Sequence, residues 1–166
     1  MTSFAPNRSR LPYLLAFALL LGLHFYVRPL VFESPAAPDF LLVAALFYAM
    51  QTGPGAGALA GFAVGLVQDA LVPAHFGAAM LAHALVGALA AWGRAVFFAE
   101  NAIVTAGFMA AGVIIRDLIM LLAGGGAGGA PGGFLGGTLP QAVTTGVAAA
   151  FVTVLFRRWF AVRLDQ

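Results

Sequence analysis

The sequence predicts an all-α bundle of about six helices built to sit in a membrane. Two observations carry this. Apolar residues make up 62% of the 166-residue chain and charged residues only 8%, against roughly 25% charged in a typical soluble domain. The apolar residues also come in long blocks rather than alternating patterns. A helix crossing hydrocarbon needs a block of about 20 residues.

The expected spans form one membrane-embedded domain over residues 1–166. The first runs from about Leu11 to Val27, after Arg8 and Arg10. It is long for a signal-peptide core and no clean Ala-x-Ala site follows it, so a retained helix is expected. A Pro-bearing connector, Arg28 to Pro38, leads to Asp39, a good N-cap for a second helix running to about Gln51. Gly53 breaks the chain, and Pro54 suits the first turn of a third span ending near Val72. After a turn at Pro73 to His75, the fourth covers Gly77 to Trp92. The fifth covers Ala102 to Ala123, and the sixth Leu139 to Phe156. The Gly-rich stretch from Gly124 to Gly137 reads as a flexible external loop by composition.

The second helix is short for a span. Either it begins earlier, or the second and third helices make a hairpin turning within the membrane, with protein around Gly53. A five-span count stays open. Arginine sets the orientation. With a cytoplasmic N-terminus, Arg8, Arg10, Arg94, Arg157, Arg158 and Arg163 all fall inside. An even span count then places both termini in the cytoplasm. Trp92 and Trp159, each beside an arginine, fit the inner aromatic belt.

Several chemistries are excluded or weak. The chain has no cysteine. Its carboxylates and histidines lack metal-ligand spacing, so neither metal nor cofactor is expected. Basic residues are too few and scattered for a nucleic-acid footprint. The serines, Ser3, Ser9 and Ser34, lie far from any His–Asp arrangement. Asp69 with His75 is the one acid–base pair that a lipid-acting enzyme could use at the outer surface, and no motif supports it. An enzyme is not expected.

The intramembrane polar residues are His24, Asp69, His83, Arg116 and Asp117. Each is costly in lipid and should face protein or water. Depth counting puts them in one layer of the outer half, and an Asp69–Arg116 ion pair is expected there. The alternative has Asp69 reaching the outer interface and Arg116 binding backbone carbonyls. Arg116 and Asp117 point about 100° apart on a helix, so each is expected to need its own partner. The histidines read as isolated polar or loop-tip residues. Gly53, Gly57, Gly61 and Gly65 recur every four residues and form a stripe for close helix packing, within the chain or against another protein.

From Pro38 onward the chain resembles the bacterial rod shape-determining protein MreD family. The carrying residues are Pro38, Asp39, Phe40, Leu41 and Leu42, then Tyr48, Gly53 and Gly57. The core block follows as Gly61-Phe62-x-x-Gly65-Leu66-x-x-Asp69, with Gly77 and Gly87 after it. Met50-Gln51-Thr52 departs from the basic residue that the family often carries there, and the Gly-rich stretch is unusual. The resemblance implies a non-enzymatic inner-membrane component of the cell-elongation complex. Its implied partner is MreC, a bitopic scaffold, and through it a peptidoglycan polymerase–transpeptidase pair and the actin-like MreB filament. It also implies a fold similar to the substrate-binding subunits of energy-coupling-factor transporters. A small-molecule uptake subunit, holding its ligand at Asp69, His83 and Arg116, is the rival reading.

Overall fold

A computed structural model describes residues 11–31, 34–71, 76–93, 102–123, 132 and 134–155. The described residues form six helices and no strand. The first, α1, runs from Leu11–Gly22 through a π-helical turn, Leu23–Val27, into Arg28–Val31. It outlasts its expected end at Val27, so His24 lies about two turns from the terminus rather than within one. α2 is Phe40–Ala49, α3 Pro54–Leu71, α4 Ala78–Gly93 and α5 Ala102–Leu122. The last, α6, opens with a π-helical turn, Phe134–Thr138, and continues as Leu139–Leu155. The end of the Gly-rich stretch is thus helical, not loop.

α2 is the centre. Every residue from Phe40 to Phe47 is buried, and of its ten residues Tyr48 alone is exposed. α1, α3, α4, α5 and α6 all touch it. Its core partners include Ala16 and Leu20 on α1, Val86 and Ala90 on α4, Met109 and Val113 on α5, and Ala149 and Val152 on α6. A ten-residue helix reaches only about 15 Å. It can be this short because protein, not lipid, surrounds it.

The helix begins deep because the chain before it dips into the bundle. Ala37, Pro38 and Asp39 are buried. Non-helical backbone is tolerated in such a place only where side chains satisfy it. α6 supplies them. The Thr144 hydroxyl donates to the Ala36 carbonyl, Gln141 Nε2 donates to the Ala37 carbonyl at 3.1 Å, and Thr145 Oγ1 accepts the Asp39 N–H at 3.0 Å. At the other end Gly53 and Pro54 are exposed. The turn there is therefore not wrapped by protein, as the hairpin reading required.

α3 and α4 form the closest pair. A Cβ on Gly57 would lie 2.5 Å from the Gly87 carbonyl oxygen. One on Gly61 or Gly65 would fall on the carbonyl of His83 or Ala79, and one on Gly87 on that of Gly57. The stripe serves internal packing at these positions. Gly53 is not part of it: nothing approaches within 4 Å of its Cβ position.

The outward faces are apolar. Leu59, Phe62 and Leu66 on α3, Leu81 and Leu89 on α4, Ile103 and Leu122 on α5, and Val143, Val147 and Phe151 on α6 are all exposed. α5 and the whole of α6, Phe134–Leu155, are long and apolar enough to cross a membrane.

Candidate functional site: a buried polar network at the start of the central helix

Charged side chains collect where α2 begins. Asp39 is 3% exposed and Arg116 5%. Asp39 caps α2, with Oδ1 accepting the Leu42 N–H at 3.0 Å. Its Oδ2 accepts from Arg116 Nη1 and, at 3.3 Å, from Gln68 Nε2 on α3. His24 Nδ1 stands 3.6 Å from Asp39 Oδ1 and accepts the Leu41 N–H at 3.3 Å. One carboxylate thereby ties α1, α2, α3 and α5 together.

Arg116 uses its whole fork. Nη1 goes to Asp39, Nε reaches Asp117 Oδ1 at 2.7 Å, and Nη2 lies 2.6 Å from the same oxygen. Nη2 also donates to Gln141 Oε1 at 2.7 Å. Gln141 in turn holds the Ala37 carbonyl, so the guanidinium and the dipping backbone share one bridging amide. Asp117 Oδ2 accepts from the Thr138 hydroxyl at 2.7 Å. The two π-helical turns thus each deliver a side chain to the network: His24 from α1 and Thr138 from α6. Such turns are frequent at functional positions.

The expected Asp69–Arg116 pair does not form. Asp69 caps α4 instead. Its Oδ2 accepts the N–H of Gly77 at 2.9 Å and of Met80 at 3.0 Å, and Oδ1 accepts that of Ala79 at 3.3 Å. The open N–H groups of a helix start satisfy a carboxylate without any cation. Gly77 adopts φ 105°, a left-handed conformation that favours glycine. Arg116 and Asp117 bond each other, and each also has the separate partner expected of it: Asp39 and Gln141 for Arg116, Thr138 for Asp117.

The other sequence-selected residues fall into clear places. Gly61 and Gly65 carry the α3–α4 approach, while Phe62 and Leu66, the next residue after each, are 45% and 42% exposed. Pro38 is buried immediately before the cap. His83 is 1% exposed; its Nδ1 lies 2.8 Å from the Ala79 carbonyl oxygen, and its Nε2 makes no hydrogen bond. His24 is no isolated histidine. His75 and the arginines at 8, 10, 94, 157, 158 and 163 lie outside the described residues, as does Trp159. No group of three or more potential metal ligands occurs among the described residues. Sequence reasoning missed Gln68, Gln141, Thr138, Thr144 and Thr145. The signal was available as polar residues inside otherwise apolar helices.

Helices that turn these charges inward to one network, and leucine, valine and phenylalanine outward, define a helical membrane protein. The chain belongs to the rod shape-determining protein MreD family, whose family model matches residues 7–126. No curated protein and no solved structure matches the chain.

Proposed function

We propose that this protein is a non-enzymatic, multi-pass component of the inner-membrane complex that directs cell elongation. On this reading it binds an MreC-like bitopic scaffold. Through that scaffold it acts with the peptidoglycan polymerase–transpeptidase pair and the MreB filament to control lateral wall synthesis. The family match over residues 7–126 carries the reading, since it ties the chain to rod-shape determination. The six helices lie across the bilayer with both termini in the cytoplasm, a placement supported by the arginine distribution.

The surface supports recognition within the membrane. The glycine face of α3 is consumed by α4, so the scaffold's helix must dock elsewhere. The outward face of α3 is our choice, because Phe62 and Leu66 belong to the motif yet stand exposed. The uptake reading gains nothing from the polar layer. Of its three ligand residues, Asp69 and Arg116 spend their bonds inside the chain, and His83, whose Nε2 has no hydrogen bond, is 1% exposed.

Co-purification from cross-linked membranes tests the proposal. The expected result is recovery with a bitopic protein bearing a large periplasmic part. Recovery alone, with a small molecule bound, overturns it.

A further inference from the structure

We propose that His24 is a proton-binding latch between α1 and the start of α2. The imidazole Nδ1 offers one lone pair, and that lone pair accepts the Leu41 N–H at 3.3 Å. The same atom stands 3.6 Å from Asp39 Oδ1. A nitrogen that takes up a proton can no longer accept from Leu41. It becomes a donor, and the nearest carboxylate oxygen is Asp39 Oδ1. Closing to a charge-assisted bond of about 2.8 Å moves the ring by less than about 1 Å.

Asp39 can receive it. Oδ1 already takes the Leu42 N–H, and a carboxylate oxygen has a second acceptor position. The helix cap therefore survives while the Leu41 N–H loses its acceptor. Proton uptake swaps one α1–α2 tie for another and alters the seat of α1.

Asp39 and Asp117 both bond Arg116, and a proton on His24 Nδ1 would stand directly beside the Asp39 carboxylate. The groups facing His24 are Arg28 on its own helix, Asp39 before α2, and Arg116 on α5. His83 on α4 and Asp117 on α5 belong to the same electrostatic neighbourhood through Arg116 and Asp39. Asp69 on α3 is neutralised by the α4 N-terminus. The described polar residues of α6 here, Gln141, Thr144 and Thr145, are uncharged. Burial and the two arginines oppose the proton, and Asp39 draws it.

The local backbone suits a latch. His24 sits in the π-helical turn Leu23–Val27, where the α-helical ladder is interrupted. α1 rests on α2 through a narrow stripe, Ala16 and Leu20, with Leu15, Phe17 and Leu19 exposed beside it. Leu21 and Leu23 hold the inner side of this turn against the core, while Phe25, Tyr26 and Val27 beyond it are exposed. His83 lacks these features: no carboxylate touches it, and its ring is sealed.

The test uses the full chain in lipid nanodiscs, labelled with ¹⁵N-histidine and ¹⁵N-leucine, across about pH 5 to 8. The expected result is conversion of the His24 ring from neutral to doubly protonated. The Leu41 amide should lose its hydrogen-bonded shift with the same midpoint. His24→Gln assigns the ring signal and should freeze the Leu41 shift across the range. A His24 ring that stays neutral throughout overturns the proposal, and so does a Leu41 amide that ignores pH. A pH-dependent Leu41 shift that persists in His24→Gln overturns it as well. If that variant does not fold, His24→Asn takes its place and is read in the same way.

Discussion

Arg116 and Asp39, 77 positions apart, are bonded side chain to side chain at the point where the central helix starts. The pair is the junction of the bundle, because Asp39 also caps α2 while Arg116 also grips Asp117 and Gln141. Removing one member of a buried pair leaves an uncompensated charge, which costs about 3–5 kcal/mol in proteins generally. Arg116→Ala and Asp39→Ala should each lower the melting temperature sharply in nanodiscs, and the double change should cost less than the sum. Additive losses would separate the two residues. Asp69→Arg with Arg116→Asp should rescue nothing.

The glycine stripe gives a graded series. Gly61→Ala and Gly65→Ala push a methyl into backbone carbonyls of α4 that cannot give way. Overpacking of this kind costs about 1–3 kcal/mol. Gly53→Ala meets nothing and should leave stability unchanged. Melting of the three purified variants checks the order, and a Gly53→Ala loss as large as that of Gly61→Ala would contradict it.

Asp69 should behave as a cap and not as an ion-pair partner. Asp69→Asn keeps an acceptor oxygen for the α4 start, so it should cost less than Asp69→Ala, which should lose about 0.5–2 kcal/mol. Neither should respond to Arg116→Ala, measured as a double-mutant cycle on melting. Coupling between the two sites would restore the pair expected from depth counting.

That expectation shows what the sequence could and could not carry. Apolar blocks located the helices because a membrane helix needs only a run of apolar residues. Asp39 was legible as a cap, and Gly57, Gly61 and Gly65 as a packing face, because both are local spacings. Arg116 has Asp39 as its partner rather than Asp69 because Asp39, which the sequence shows only as a helix cap, belongs to the same buried layer. The structure sinks the stretch from Ala36 to Asp39 into the bundle, under side chains of α6 more than 100 residues away. Long-range satisfaction of backbone groups leaves no local signature. The same holds at Phe134–Thr138. Glycine there suggested a loop, yet the segment is helical, and Thr138 at its end bonds Asp117.

Thr145 and Gln141 should matter more than their neutral side chains suggest. Thr145→Val keeps the shape but strands the buried Asp39 N–H, a loss of about 1–3 kcal/mol. Gln141→Leu strands the Ala37 carbonyl and removes one of the two acceptors of Arg116 Nη2, so it should cost more. Amide exchange at residues 36–42 should accelerate in both variants while α3 and α4 stay protected. Uniform acceleration across all helices would mean that the contacts are not local supports of the dipping segment.

Phe62 and Leu66 separate partner binding from folding. They are one helical turn apart, and both stand exposed about 100° round the helix from the glycines that pack on α4. Exposed side chains on a lipid-facing surface contribute little to the fold, because hydrocarbon solvates them as well as protein does. Phe62→Ala combined with Leu66→Ala should therefore leave the melting temperature within about 1 °C of the parent, since surface changes of this kind stay within about 0.5 kcal/mol. Under the proposed function the same variant should lose most of the scaffold recovered from cross-linked membranes. Leu81→Ala and Leu89→Ala, exposed on α4, should lose none. Equal recovery for all three would move the docking face off α3, and a destabilised Phe62 variant would show that this face is packed rather than free.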